Sequence, residues 1–311
     1  MRPEPPPAPL HLPFEPGPYR LAMALQACAE ADWIEIDAGY RAELALRRGL
    51  LDLRRPEVLG LGPDTLPARR ELLALLAHHL PARFPAWFTA APDGRLGNRL
   101  TGEVWQLDHA ASDPLDLAAR LVQEDLCLLR LDAGTPVLTD AALCFPSRWR
   151  LAEKLGRPLA SVHEPVPLYA ERLAAPVDRF MAALRPGRIA KRYNWALVDD
   201  PALFQPAGKF RAAHDPAITA TNAGARIWLR VERQTLRLLP ASGAVVFTIR
   251  VHVTPLVRIA IPAVAASLAE AVRALPEATL RYKSIAPFRA AVLGWLDRRS
   301  DAVSPLPECP R

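Results

Sequence analysis

The chain has 311 residues, half of them apolar, and a formal charge of +6, enough for an ordinary buried core in one large or two modest domains. No apolar run approaches the roughly 20 residues of a membrane helix and residues 1–20 lack the apolar centre of a secretion signal, so a cytoplasmic protein with no membrane partner is expected. Cys28, Cys127, Cys144 and Cys309 show no C-x-x-C spacing, which argues against a disulfide framework or zinc ribbon, and the arginines are scattered rather than gathered in a run, so no nucleic-acid partner is expected.

Residues 1–20 hold eight prolines and read as an extended arm with polyproline character, laid on the surface or loose. Helices are predicted over 41–55 and 68–80, where leucines recur at helical spacing. His78 and His79 are adjacent, so they point to different sides of the second helix and make a poor metal clamp. From 102 the pattern changes. "GEVWQLD" (102–108) reads as a strand, and Asp113 and Pro114 open a helix over 112–126 as cap and first residue. Strands follow at 126–132 and 136–147, then helices at 148–156 and 167–184, the latter broken or kinked by Pro176. A strand is predicted at 192–200. The strongest local signal is a hairpin, 226–239 and 244–254, joined by "PASG" and alternating apolar with polar residues as if one face were buried. Residues 200–225 show no period, and helices over 262–275 and 287–299 close the chain.

This order predicts an α+β fold with an antiparallel sheet and helices on one face. No G-x-G-x-x-G, G-x-x-x-x-G-K-[ST] or G-x-S-x-G occurs, so dinucleotide binding, NTP hydrolysis and α/β-hydrolase chemistry lose their usual sequence support. Only Lys154, Lys191, Lys209 and Lys283 are lysines among 39 cationic residues, a bias that reads as genome composition.

His163 lies in "LGRPLASVHEPVPLY" (155–169), a proline-bounded segment between two helix-like stretches. From the residues alone it is a loop or helix-capping histidine, or a metal ligand. His11, His78, His79, His109, His214 and His252 have less context.

Four segments together carry a resemblance: "LVQEDLCLL" (121–129), "CFPSRWRLAEKLGRPLASVHEPVP" (144–167), "RYNWALVDD" (192–200) and "RVERQTLRLLPASGAVVFTIRVHVTPL" (230–256). They are similar to the heme-binding α-subunit-like proteins of the heme-dependent oxidative N-demethylase family, over most of the chain from about residue 12 to 288. The resemblance implies a PAS-like fold around heme b, two early strands, a helical middle and three later strands; the strand near 136–147 is one more than this pattern needs. The divisions expected are a Pro-rich arm (1–20), a helical N-terminal extension (21–100), a PAS-like heme-binding core (101–256) and a C-terminal helical extension and tail (257–311).

The implied chemistry is oxidation of a small methylated amine by dioxygen, with formaldehyde released. Electrons would come from a separate reductase carrying flavin and an iron–sulfur cluster, because this chain has no cysteine set for a cluster. The same resemblance makes His163 the candidate iron ligand. Heme propionates pair with arginine, which makes Arg148, Arg192, Arg233 and Arg237 candidate partners, Arg233 and Arg192 first among them; each is equally an exposed or structural arginine. Trp149 and Trp195 are candidates to pack on the porphyrin or simply core. Asn194 is a candidate donor to iron-bound oxygen. Glu232, Asp125, Trp195 and Tyr193 are candidates for an ammonium group, Glu232 serving equally well in a cross-strand ion pair. Two alternatives stand beside the enzyme: a non-catalytic heme-PAS sensor of oxygen or redox state, and a scaffold of this fold without heme.

Overall fold

The computed structural model describes residues 4–108 and 113–300; His109 and Cys309 lie outside them. The fold is α+β, and its strands pair antiparallel. The main sheet has seven strands: β1 (Gln26–Cys28), β2 (Leu59–Gly60), β6 (Asp125–Asp132), β7 (Thr135–Ala142), β8 (Ile189–Val198), β9 (Trp228–Leu238) and β10 (Val245–Pro255). Their spatial order is β1-β8-β9-β10-β6-β7-β2, and β3 (Phe88–Ala90), β4 (Arg95–Asn98) and β5 (Glu103–Gln106) form a separate small sheet.

The long helices arise where the leucine spacing places them, α1 at Tyr40–Leu53 and α3 at Leu66–Arg83, separated by the short α2 (Arg55–Val58). Leu44, Leu51, Leu72, Leu76 and Leu80 are buried on their inner faces. Residues 21–100, read as helical, also contribute β1 and β2 to the two edges of the main sheet; two or three residues are too few for a period of two to show. Asp113 does cap α4 (Pro114–Ala119), accepting from the Leu115 N–H at 2.8 Å. The helix expected at 148–156 is only a 3-10 turn, Leu151–Glu153. Past the short α5 (Leu159–Val162), the stretch 167–184 opens as a π-helical turn (Ala170–Ala174) before α6 (Ala175–Ala182). Pro176 has no N–H for the preceding turn, and the widened turn absorbs the defect.

The hairpin forms as expected, with Gly243 at φ +71° completing its turn. Its burial differs from the expectation. Val251 pairs with Glu232, His252 with Val231 and Val253 with Arg230, so at this end of the hairpin apolar residues of one strand lie beside polar residues of the other, while Phe247 pairs with Leu236 and Arg250 with Arg233. Neither face of the hairpin is apolar throughout, and both are covered. On one face lie Arg192 and Asn194 of β8 with Arg230, Glu232 and Gln234 of β9, because paired residues share a face. The helical middle of the chain, α5 to α6, covers this side, adding Leu159, Val162 and Met181 to the core around Cys127 and Leu236.

On the opposite face lie Tyr193, Trp195, Val231, Arg233, Arg237, Arg250 and His252. The N-terminal arm and the loop before α1 cover one end of it. α7 (Ala223–Arg226) and the C-terminal helices α8 (Pro262–Ala274), α9 (Glu277–Tyr282) and α10 (Arg289–Ser300) cover the other, packing Leu268, Val272, Val292 and Trp295 with Leu229 and Val231.

Arg47 of α1 locks that helix to the sheet. It donates to Asp125 at 2.9 Å and to the Gln123 carbonyl at 2.7 Å, with both charged side chains fully buried. Asp125 also accepts from the Cys144 and Phe145 N–H groups. Replacing Arg47 by Met leaves a buried carboxylate without its counter-charge, at a cost of about 3–5 kcal/mol. Equilibrium urea unfolding should show that loss; a wild-type midpoint for Arg47→Met would contradict the assignment.

Candidate functional site

The site is built on the helix-covered face of the sheet. His163 follows directly on α5 and ends it. Its Nδ1–H donates to the Leu159 carbonyl at 2.9 Å, one turn back, which leaves Nε2 as the nitrogen with the free lone pair. Tyr169 stacks on the ring, centroids 4.5 Å apart and planes 12° from parallel. Burial pushes the imidazole pKa down to about 4, and the Lys154 and Arg192 charges push the same way against the Leu159 hydrogen bond. A neutral, oriented imidazole results. Glu164, its exposed neighbour, is not what orients the ring.

Around one carboxylate on this face, Glu232, gathers a set of cations. Its charge favours the protonated forms of Lys154, Arg192, Lys209, Arg230 and Lys283, while burial, the larger effect in every case, opposes them. Lys209 and Lys283 are pushed down to about 8. Arg148 is likewise lowered by burial. Glu232 itself accepts from Asn194 at 3.2 Å and Gln234 at 2.9 Å. β1 pairs with β8 only at Ile189–Lys191, and Lys283 comes in over the β8 edge beyond it, donating to the Trp195 carbonyl and, at 3.2 Å, to Asn194 Oδ1. Lys154 donates to the Val162 carbonyl at 3.1 Å, beside His163, and lies over the Trp149 ring at 4.3 Å. Lys209 lies over Tyr282 at 3.9 Å.

These cations are incompletely satisfied. Arg148 Nη1, Arg192 Nε and Arg230 Nε are buried and have no hydrogen-bond acceptor among the described residues. Buried donors and desolvated charges of one sign are costly unless an acceptor of the opposite sign meets them. The backbone is strained at the same places: Arg148, Phe210 next to Lys209, and Ser284 next to Lys283 all have φ between +56° and +62°. Such strain in non-glycine residues gathers where a structure over-determines a site. The donor set therefore offers cations for carboxylates and an imidazole for a metal, the two kinds of polar contact that heme makes.

The sequence candidates divide by face. His163, Arg192, Asn194 and Glu232 come together, and Arg148 joins them from the loop after β7, though its Nη2 is also held by Asp199 at 2.6 Å. Arg233, Arg237 and Trp195 do not. Strand alternation sends them through the sheet: Arg233 donates to the Trp33 carbonyl and pairs with Glu35 at 3.1 Å, Arg237 pairs with Glu30 at 2.9 Å, and Trp195 packs edge-on against Phe14, meeting the site cations only at the sheet edge, where Lys283 Nζ lies 5.4 Å from its ring centre. Tyr193 lies on that face too, against His11. Asp125 is consumed by Arg47. The residues missed were Lys154, Lys209, Lys283 and Arg230. Lysine rarity was the available signal, since three of the four lysines in the chain meet here.

A shallow depression of about 480 Å³ borders the same segment, lined by Ser161, Glu164, Tyr169 and Glu171 among others. It carries two carboxylates and none of these cations, so it does not form part of the site.

The four-lysine composition makes side-chain NMR of labelled lysine a direct test. In the ligand-free protein Lys209 and Lys283 should titrate near 8, and Glu232→Gln should move both lower, since the carboxylate favours their charged forms. Because their folded values lie below the ordinary 10.5, the unfolded chain binds more protons between about 8 and 10.5, and their contribution to stability rises with pH across that window. Titration of all four lysines near 10.5 would overturn the electrostatic picture.

A family model described as "Haem-dependent oxidative N-demethylase, alpha subunit-like" matches residues 24–293, a span that contains every element of both sheets and His163 with its cationic surroundings. The chain belongs to the haem-dependent oxidative N-demethylase, alpha subunit-like family.

Proposed function

We propose that the chain is the heme-carrying subunit of an oxidative N-demethylase acting on a small methylated amine, and that the helix-covered face of its sheet is a PAS-like cradle for heme b. The observation that carries this reading is a neutral imidazole, its Nδ1–H tied to a backbone carbonyl, beside desolvated cations with unused N–H groups. His163 Nε2 is the iron ligand. Arg192 and Arg148, with Lys209 and Lys283, receive the propionates. Arg233 and Arg237 have no part in this.

Bound heme would supply the oxidising chemistry with dioxygen. The overall change balances as R2N–CH3 + O2 + 2 e⁻ + 2 H⁺ giving R2NH + CH2O + H2O: the methyl C–H and C–N bonds break, and a C=O bond forms. The electrons come from a partner reductase with flavin and iron–sulfur centres. Cys28, Cys127 and Cys144 are all buried, and burial raises each thiol above its ordinary range, which suits apolar packing rather than cluster ligation. The family's description as an alpha subunit supports a partner.

The residues of the chain orient the substrate. Propionates would neutralise the surrounding cations and leave Glu232 as the free negative charge, to which a substrate ammonium binds. Asn194, held between Glu232 and Lys283, keeps that carboxylate in place and presents an amide beside it.

Two measurements test the proposal. Hemin-reconstituted protein should show a histidine-ligated ferric spectrum that His163→Ala abolishes or reshapes while the fold, followed by circular dichroism, persists; an unchanged spectrum places the ligand elsewhere. With reductant and dioxygen, the wild type should release formaldehyde from a secondary methylamine. Glu232→Gln should raise the KM for the amine about 10- to 100-fold, the loss expected for one charged hydrogen-bond partner. Heme binding without formaldehyde would favour the sensor, and a chain that refuses hemin the heme-free scaffold.

A further inference from the structure

On the opposite face of the sheet, His11, Glu35 and His252 converge so that one ligand atom from each lies within 4.8 Å of the others. They come from three separate places: the N-terminal arm, the loop before α1, and β10. His252 Nε2 is 2.9 Å from Glu35 Oε2, and His11 Nε2 is 3.3 Å from Glu35 Oε1. The two imidazole rings lie 4.9 Å apart at 68°. His252 is buried and the other two nearly so.

The 3.3 Å approach of His11 is informative because Nε2 is buried yet has no hydrogen-bond partner of ordinary geometry among the described residues. Nitrogen and oxygen ligands about 2.0–2.1 Å from one tetrahedral ion are themselves about 3.3 Å apart, so the spacing suits two ligands of a shared ion. The surroundings also suit one. Burial lowers the His252 pKa below its ordinary value, against the pull of Glu35, so the ring is neutral and free to ligate. Burial works against ionisation of Glu35, yet its close contacts with the two histidines and the Arg233 charge hold it well below the carboxylate range. Arg233 Nε, 3.1 Å from Glu35 Oε1, and the Glu35 N–H, which donates to Glu124, fix the residue in place, as outer partners do around metal ligands. Two imidazoles and one carboxylate are a donor set for Zn2+ or its first-row neighbours.

We propose that His11, Glu35 and His252 form a binding site for a divalent first-row ion, Zn2+ foremost, with water completing the coordination, and that the ion fastens the N-terminal arm to the sheet. The arm has no strand or helix from residue 4 to 25 and is otherwise held by side chains such as Phe14 against Trp195 and by the Ala38 N–H donating to the Pro6 carbonyl. Binding moves the single N–H of the neutral His252 ring from Nε2 to Nδ1; nothing is oxidised. The site is separated from His163 by the sheet and does not depend on the heme assignment.

The experiment is a Co2+ titration of the full chain after chelator treatment, followed by competition with Zn2+. Expected are one tight equivalent with the visible d–d bands of a four- or five-coordinate ion, their loss on adding Zn2+, and a higher melting temperature with either metal. His11→Ala should abolish the bands. That residue lies outside every helix and strand, so its loss leaves the fold intact and carries the test even where Glu35→Gln, which also unpairs Arg233, does not fold. His163→Ala should leave the bands unchanged, which separates this site from the heme ligand. No tight equivalent, bands that survive His11→Ala, or bands that disappear with His163→Ala would each overturn the proposal.

Discussion

The register between β9 and β10 decides what each face of the sheet can do. Val251 opposite Glu232 and Val253 opposite Arg230 put charge on the face that the helical middle covers. Arg250 opposite Arg233 and His252 opposite Val231 put charge on the face that the arm and acidic loop cover. A shift by one residue would turn Arg230 and Glu232 to the side of Arg250 and His252 and set Leu229 and Val231 beside Val251 and Val253. As built, each face brings charged groups under cover and each must find partners for them.

The two faces answer that demand differently. On the arm side each buried arginine meets carboxylates of the chain: Arg250 pairs with Asp37 at 2.6 Å and Glu43 at 2.8 Å, Arg233 with Glu35, and Arg237 with Glu30. Their charges are met within the chain, although Arg250 Nε, like the N–H groups on the other face, has no acceptor among the described residues. On the helix side Lys154, Arg192, Lys209, Arg230 and Lys283 share Glu232, three buried guanidinium nitrogens have no acceptor among the described residues, and backbone strain persists beside the cations. Desolvated charge without a counter-charge lowers stability, and it is retained where a ligand supplies the missing partner. In the function proposed above, heme propionates are the partners that meet these cations.

Much of the fold was legible because it is periodic. The leucine spacing marks α1 and α3, the alternation marks β9 and β10, and Asp113 marks the start of α4. The edge strands β1 and β2 were not legible, since so few residues carry no period, and the π-helical turn before α6 arises from Pro176 and its packing rather than from any motif. In the site, His163 stood out only through resemblance. Arg192, Asn194 and Glu232 lay in the right strands, but Arg233 and Trp195 lay in the same strands one residue away. Register, which sequence does not display, put them on the other face. The lysines came from distant loops, and only their scarcity in an arginine-rich chain hinted at a special role.

The central claim is that heme lies on the helix-covered face with iron on His163. A crystal structure of the hemin-loaded protein, with the iron located by its anomalous signal, tests it most directly. The account predicts iron bonded to His163 Nε2 and propionates against Arg192, Lys209 or Lys283. Iron bonded to His252 or His11, with the porphyrin under the N-terminal arm, would contradict it.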